Sequence, residues 1–95
     1  MSIVVRFPTS NLKRSQYDSV HKALDESGNW PAPGCLFHVC FGEEGDLHVS
    51  EVWESQEQLA AFGETIGPHI AAAGVQMSGE PEVFEVANLE SFTSA

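Results

Sequence analysis

The stretch VWESQEQLAAF, residues 52–62, marks the point where the sequence changes from a strand-like to a helix-like pattern. It begins with a valine and a tryptophan, which are residue types that favour strands. Ser55 is followed three residues later by Gln58, which is the S-x-x-Q pattern of a capping box. The stretch therefore predicts a strand that ends at Trp53 and a helix that begins directly after Ser55.

Hydrophobic periodicity on both sides of this junction predicts four strands and two helices. The predicted strands are residues 3–7, 35–41, 47–53 and 82–86, and the predicted helices are residues 11–27 and 56–73. A glycine-bearing turn at residues 42–46 is expected to join the second and third strands in a hairpin. Gly67-Pro68 is expected to kink or interrupt the second helix, because proline lacks a backbone donor and clashes with the preceding turn. The order predicts an α+β, ferredoxin-like βαββαβ fold, with a four-stranded antiparallel sheet and both helices on one face.

The length of 95 residues predicts a single domain over residues 1–95, and a hydrophobic content of 42% is that of a folded protein. The second and third predicted strands are apolar on both sides, although only one face of the sheet carries helices. Something must cover the other face, and the same face of a second copy is the economical candidate. We therefore expect a homodimer that pairs through its sheets.

Charge is distributed unevenly along the chain. All four basic residues fall in the first 22 positions, and the other 73 residues carry a net charge of −13 without a lysine or arginine. Partners that are rich in phosphate require a basic surface. The sequence therefore predicts neither nucleic-acid binding nor membrane binding. No apolar run approaches the ~20 residues that a membrane-spanning helix needs.

Cys35 and Cys40 lie in the same predicted strand and are an odd number of residues apart. Because side chains alternate along a strand, they are expected on opposite faces, where they cannot form a disulfide. Two reduced cysteines and the absence of a secretory signal indicate a cytoplasmic protein. The four histidines lack the tight spacing of metal ligands, so no metal site is predicted.

Val52-Trp53-Glu54-Ser55, the following helix with Phe62, and Gly67-Pro68-His69-Ile70 resemble the dimeric α+β barrel superfamily. The sequence is similar to its group of antibiotic-biosynthesis monooxygenases, heme-degrading monooxygenases and small proteins of unknown function. The match in element order covers nearly the whole chain, and the V-W-E-S pattern indicates the fold rather than one activity. The resemblance implies a dimeric barrel and, in the cofactor-free oxygenases, an apolar pocket, a base and access for oxygen.

The heme-degrading branch of this superfamily has a second tryptophan nine residues after the strand tryptophan and a histidine ligand ten residues later. Those positions hold Phe62 and Ala72 in this sequence. His69 lies one turn before Ala72 and can replace the ligand only if a kink at Pro68 turns it inward. We therefore predict a protein without a cofactor.

His38 is the one strongly polar residue of the 35–41 strand. If the hairpin pairs Gly42 with Leu47, His38 lies opposite Glu51, and Leu36 lies opposite Trp53. A carboxylate beside an imidazole orients the ring and stabilises its protonated form, which suits a general base. The alternative is that His38 forms a hydrogen bond with a cross-strand acid and only stabilises the sheet.

His69 is the second candidate base, since irregular backbone after Pro68 can line a cavity; the alternative is a surface residue. The candidate catalytic residues are therefore His38, His69 and Glu51, and the candidate ligand-binding residues are Trp53, Phe62, Leu36 and Ile66. Apolar residues at helical spacing are core residues in the simpler interpretation. His21 and His48 are interpreted as surface or edge residues.

Two functions remain open from the sequence. The first is a cofactor-independent monooxygenase-like protein that binds or acts on a small aromatic or polyketide-like molecule. The second is a non-catalytic dimeric module that binds a small hydrophobic ligand or has a structural role. Whether a pocket is open between the sheet and the second helix, and whether His38 or His69 lines it, distinguishes these two functions.

Overall fold

The computed structural model of the protein describes residues 2–92, which form two helices and six strands. The helices are α1 (Arg14–Glu26) and α2 (Gln56–Ala73). The strands, in chain order, are β1 (Ile3–Phe7), β2 (Thr9–Ser10), β3 (Cys35–Glu43), β4 (Asp46–Trp53), β5 (Gln76–Met77) and β6 (Glu82–Glu85). The predicted order of four strands and two helices is confirmed, and the short strands β2 and β5 are additional.

The main sheet is antiparallel, and its strands follow the spatial order β3-β4-β1-β6. This is the ferredoxin-like arrangement, in which the first long strand lies between the third and the fourth. The predicted α+β fold class is confirmed. The strands β2 and β5 pair separately, with Thr9 opposite Met77.

Both helices pack on one face of the sheet. Ile3, Val5 and Trp53 of the sheet share a core with Leu24 of α1 and Phe62 of α2. Trp53 and Val5 are fully buried. Burial of one large apolar side chain stabilises a fold by about 1.5–3 kcal/mol, so these contacts fix the helices on the sheet.

The junction between β4 and α2 has the predicted form. Ser55 is extended, and its hydroxyl accepts a hydrogen bond of 3.2 Å from the backbone N–H of Gln58. The helix begins at Gln56 and ends before Gly74, whose φ of 71° is left-handed. Glycine adopts this conformation without the steric cost that a Cβ imposes, so both ends of α2 follow from local chemistry.

Helix α2 continues through Gly67-Pro68, so the predicted interruption is wrong, whereas the alternative of a kink stays a prediction. Proline removes the backbone donor that the carbonyl of Glu64 would otherwise receive. Glu64 and Pro68 are both exposed, which leaves that carbonyl accessible to water. The apolar residues of α2 on either side of Pro68 therefore keep their helical spacing.

Helix α1 begins three residues later than predicted, at Arg14. Asn11 has a left-handed φ of 53°, and Lys13 is the extended N-cap. Leu12 is buried between them, and its carbonyl accepts a hydrogen bond of 3.0 Å from the backbone N–H of Leu47. This contact with β4 holds the segment before α1 outside the helix.

The hairpin of β3 and β4 contains a β-bulge at Leu36. Cys35 pairs with Trp53 and Phe37 pairs with Val52, so Leu36 is an extra residue in β3. The predicted pairing of Leu36 with Trp53 is therefore wrong. A bulge of this kind moves every residue before it to the other face of the sheet.

The bulge also corrects the expected positions of the two cysteines. Cys40 pairs with Val49, and Cys35 pairs with Trp53 four residues further along β4, so both cysteines lie on the helix-covered face. Their separation along the strand prevents a disulfide in spite of the shared face, and both are free thiols. The prediction that the two cysteines do not bridge each other is confirmed, for a different geometric reason.

The face of the sheet without helices is apolar, as the sequence indicates. Its exposed hydrophobic residues come from both edge strands: Phe37, Val39 and Phe41 of β3, and Phe84 of β6. The side chain of Phe37 is 59% exposed. In residues 2–92, neither helix has the length and apolar character to cross a membrane.

Candidate functional site

His38 and Glu51 form a close pair on the helix-covered face of the sheet. The hairpin pairs Gly42 with Leu47, and this register places His38 opposite Glu51. Their side chains meet at 2.6 Å between Nδ1 and Oε2. The predicted cross-strand pair is present.

Glu51 is a buried carboxylate with both oxygens engaged. It is 3% exposed, its Oε2 contacts His38, and its Oε1 accepts a hydrogen bond of 2.9 Å from Nε1–H of Trp53. A buried carboxylate without partners is costly, so these two donors account for its position in the core. The indole of Trp53 thus supports Glu51 from the interior.

Tyr17 of α1 completes the chain of hydrogen bonds from the other side of His38. Its hydroxyl oxygen lies 2.7 Å from Nε2 of the imidazole. Because the carboxylate of Glu51 offers only lone pairs, Nδ1 carries a ring proton, and in the neutral imidazole Nε2 is then the acceptor. Trp53 and His38 therefore donate to Glu51, and Tyr17 donates to His38.

The hydroxyl of Tyr17 is held in its neutral form. Burial raises the pKa of Tyr17 above its ordinary value of 10.0, and negative charge on Cys40 acts in the same direction. A protonated phenol is the donor that neutral His38 requires at Nε2.

These residues border a cavity of about 100 Å³ that opens to solvent between the sheet and the two helices. Tyr17, His38 and Glu51 are among its polar lining groups, together with Thr9 and His21. The rest of the lining is apolar and includes Phe7, Val20, Leu24, Trp30, Val49, Phe62, Ile66 and Ile70. A few polar groups within an apolar wall are typical of a small-molecule site.

Aromatic rings surround His38. Trp30 meets the imidazole edge-on, with ring centroids 5.1 Å apart, and the ring of Tyr17 is stacked at 5.9 Å. Phe62 lies between the two tryptophans, 5.8 Å from Trp30 and 5.3 Å from Trp53. These contacts hold the imidazole in one orientation and give the cavity a rigid aromatic wall.

Four of the predicted site residues line this cavity, namely His38, Glu51, Phe62 and Ile66. Trp53 is fully buried and contacts the site through its hydrogen bond to Glu51. As a wall of the pocket, Trp53 was therefore wrongly predicted. It acts one layer behind the wall.

Leu36 and His69 lie outside the cavity lining of the described residues. Leu36 is 47% exposed in the bulge of β3. His69 stays in the regular helix because α2 is not interrupted at Pro68, and the neighbouring Ile70 takes the lining position. The structure therefore brings His38 and Glu51 together and leaves His69 apart.

The lining residues that were not predicted include Tyr17, His21 and Trp30. His21, which was interpreted as a surface or edge residue, lines the cavity, and its ring centroid lies 5.8 Å from that of Trp30. Tyr17 and His21 are four residues apart and share a helical face with Val20 and Leu24. That spacing is the signal in the sequence that could have identified them.

His48 has the surface position expected of it. It lies on the helix-free face of β4, opposite Phe41, and its side chain is 41% exposed. Its Nε2 is 3.7 Å from Asp46, at the hairpin turn. His48 is therefore a histidine of the same sheet that lies outside the site.

The residues of the site do not fit a heme that is ligated as in the heme-degrading branch. Ala72 occupies the position of the implied ligand, and His69 lies outside the cavity. Both ring nitrogens of His38 are already engaged. Within residues 2–92, no group of three or more His, Cys, Asp or Glu side chains is placed to hold a metal ion.

Comparison with known proteins gives similarity to solved structures. No family model and no curated protein matches the chain. A proposed antibiotic biosynthesis monooxygenase from Caulobacter crescentus is 24% identical, with a TM-score of 0.57 over 94% of this chain and 89% of that chain. SnoaB, a cofactor-independent oxygenase from Streptomyces nogalater, is 20% identical, with a TM-score of 0.57 over 93% of each chain. Rv0793 from Mycobacterium tuberculosis is 18% identical, with a TM-score of 0.55 over 97% of each chain. These structures share the fold of this protein.

Proposed function

We propose that the protein binds a small neutral aromatic molecule in the cavity and oxygenates it without a cofactor. One observation carries the proposal: His38 is held between a buried carboxylate and a phenol at the wall of an aromatic cavity. An imidazole that a carboxylate orients is the usual form of a general base in an enzyme. The paired carboxylate stabilises the imidazolium that forms when the base accepts a proton.

The chemistry requires little more from the protein than binding and proton removal. An electron-rich phenol that loses its proton becomes an anion that can pass electrons to molecular oxygen directly. At a ring carbon that carries a hydrogen, one oxygen atom enters the substrate as a quinone carbonyl, and the other leaves as water with the ring hydrogen and the hydroxyl hydrogen of the phenol. SnoaB, which shares this fold, is a cofactor-independent oxygenase, and this similarity supports the proposal.

The cavity and the charge define the kind of ligand. The cavity of about 100 Å³ is smaller than an engineered apolar cavity of ~150 Å³ that binds benzene in another protein, so an aromatic ring would fill it and extend toward the opening. A larger aromatic or polyketide-like molecule would extend through the opening to solvent. No lysine or arginine is among the lining residues in the described part of the chain. We therefore propose a ligand without negative charge.

Oxygen consumption with a panel of electron-rich phenols and dihydroxynaphthalenes tests this function. The wild type is expected to consume oxygen with at least one of them, and the His38→Gln and Glu51→Gln variants are expected to lose the activity. His48→Gln is the matched control, because His48 lies on the other face of the sheet. Equal rates in His38→Gln and the wild type would contradict the proposal.

The second candidate function is a binding module without catalysis. One observation favours it: among the described residues, every buried polar side-chain atom already has a hydrogen-bond partner, so the site is complete without a ligand. Quenching of the fluorescence of Trp30 by a phenol, without oxygen consumption by any compound of the panel, would support this function instead.

We also propose that the protein is a homodimer that pairs through the helix-free face of its sheet. The exposed apolar side chains of that face, Phe37 and Phe84 among them, support this interface. An antiparallel sheet commonly presents a polar face to water, so an apolar face is expected to be buried against another protein surface. A second copy supplies a face of matching composition.

The cytoplasm is the proposed location of the protein. The support comes from Cys35 and Cys40, which are both free thiols. Cysteines remain in that state in reducing compartments.

A further inference from the structure

We propose that Tyr17 is the catalytic residue that contacts the hydroxyl group of a phenolic ligand and passes its proton to His38. This inference rests on the proposed function, because it assigns a role within the same cavity. It makes Tyr17 the first acceptor of the proton and His38 the final one. The argument depends on which atoms of the site a ligand can reach.

Neither ring nitrogen of His38 is open to a ligand. Nδ1 is 2.6 Å from Glu51, and Nε2 is 2.7 Å from the hydroxyl oxygen of Tyr17. Trp30 packs edge-on against the ring, with centroids 5.1 Å apart. A ligand can therefore reach a nitrogen only by displacing Tyr17, which itself lines the cavity.

The directions of the hydrogen bonds leave the oxygen of Tyr17 free to accept. When the ring of His38 is neutral, Nε2 carries no proton, and the single proton of Tyr17 points to that nitrogen. A hydroxyl oxygen has two lone pairs, and both remain for a donor from the cavity. The O–H group of a neutral phenol is such a donor.

The proton transfer is balanced within the four groups. The O–H bond of the ligand breaks and a new O–H bond forms on Tyr17, while the original proton of Tyr17 moves to Nε2 of His38. The ligand gains one negative charge, and His38 gains one positive charge beside the carboxylate of Glu51. Tyr17 begins and ends as a neutral phenol, so the transfer needs no further reactant.

Burial of Tyr17 agrees with this role. It raises the pKa of Tyr17, which disfavours a lasting phenolate at this position. Tyr17 is therefore suited to relay a proton and not to keep the negative charge. The ligand class that follows is a neutral phenol with a single ring inside the cavity.

The test uses para-nitrophenol, whose anion absorbs visible light and whose neutral form does not. It is titrated with the wild type one pH unit below the pKa of the free compound, and binding is measured separately by fluorescence quenching. The wild type is expected to bind the probe and to increase the absorbance of the anion. Tyr17→Phe keeps the ring but loses the hydroxyl, so it is expected to bind within about threefold of the wild type without that absorbance.

Two further variants test whether the anion absorbance depends on the residues of the site. His38→Gln is expected to lose the anion absorbance as well, whereas His48→Gln, on the other face of the sheet, is expected to keep it. Far-ultraviolet circular dichroism of each variant separates a loss of the relay from a loss of the fold. A residue with only a structural role would change stability and leave the spectrum of the bound probe unchanged.

The outcomes separate the two proposals. Anion absorbance in Tyr17→Phe equal to that of the wild type would overturn the role of Tyr17 and leave His38 as the direct base. Binding by the wild type without anion absorbance would overturn the relay and leave the cavity as a binding site. Absence of binding by the wild type would contradict the proposed function itself.

Discussion

His38 on β3 and Glu51 on β4 lie directly opposite each other, with Nδ1 of the imidazole 2.6 Å from Oε2 of the carboxylate. Glu51 is almost completely buried, whereas His38 is at the wall of the cavity. In the proposed function, the buried acid supports a base at the cavity. The same pair contributes to the stability of the sheet, so its removal has consequences for folding as well as for activity.

Replacement of Glu51 by glutamine is expected to lower the free energy of unfolding by about 1–3 kcal/mol, as for a buried group left without a partner. The carboxylate accepts protons from both Trp53 and His38, whereas the amide has one acceptor oxygen and a donating NH₂ group. Urea denaturation measures the change. Glu54→Gln is the control, since Glu54 is exposed and its loss is expected to change the value by less than about 0.5 kcal/mol. Equal stabilities of Glu51→Gln and the wild type would contradict the role of the pair.

Stability is expected to fall in alkaline solution because of Cys35. Burial, followed by the negative charge of Glu51, raises the pKa of the Cys35 thiol from its ordinary value of 9.0 to about 11. Between these two values the folded protein binds more protons than the unfolded chain, so the free energy of unfolding decreases as the pH rises. The contribution is fully present below pH 9.0 and is lost by about pH 11. Tyr17, whose pKa is also raised, acts in the same direction at higher pH.

Urea denaturation of the wild type and of Cys35→Ser over this pH range measures the effect. The serine variant is expected to lose less stability than the wild type as the pH rises, because its hydroxyl does not ionise there. A difference between the two proteins that stays constant from about pH 8 to 11 would show that ionisation of Cys35 does not contribute.

The proposed dimer is expected to depend on Phe37. This side chain is 59% exposed on the helix-free face, and a lysine in its place would bring an unpaired charge into the interface. The dissociation constant of the dimer is expected to rise by at least about a hundredfold, since a buried unpaired charge costs several kcal/mol. Sedimentation velocity over a range of concentrations measures it. Ala60→Lys adds the same charge to the exposed surface of α2 and is expected to leave the dimer intact. A wild type that sediments as a monomer at micromolar concentration would contradict the interface.

Ligand binding is expected to depend on Ile66 but not on Leu36. Ile66 lines the cavity, whereas Leu36 is an exposed bulge residue outside it. Ile66→Ala is expected to weaken the binding of para-nitrophenol by about tenfold, as the loss of roughly 1.4 kcal/mol of apolar contact implies. Leu36→Ala is expected to bind as the wild type does. A stronger effect of Leu36→Ala in fluorescence titration would place the binding site elsewhere.

Local signals in the sequence predicted the elements well. The boundary between β4 and α2 followed from the hydroxyl of Ser55 and the backbone of Gln58, which are close in the chain. The pair of His38 and Glu51 followed from the register of a hairpin with a short turn. Each of these features depends on residues that are near in sequence or aligned by a single turn.

The errors arose where distant residues compete with local preference. The bulge at Leu36 is not encoded by a glycine. It removes Leu36 from its expected pairing with Trp53 and places Cys35 on the same face as Cys40. Proline chemistry predicted an interruption at Pro68, yet the helix continues, and His69 consequently stays outside the cavity. Such choices depend on the sum of packing contacts over the whole element, which a local pattern does not contain.

The sequence by itself determined the order of the elements, the ends of α2 and the apolar character of both faces of the sheet, because each follows from local hydrogen bonding or from residue periodicity. Only the tertiary structure decided that Tyr17 of α1 meets His38 of β3 and that Trp30 closes the wall beside them. Tyr17 and His38 are 21 residues apart and belong to different elements. They are in contact because α1 packs on the sheet through Leu24, and this packing places the face of α1 that carries Tyr17 against the face of β3 that carries His38.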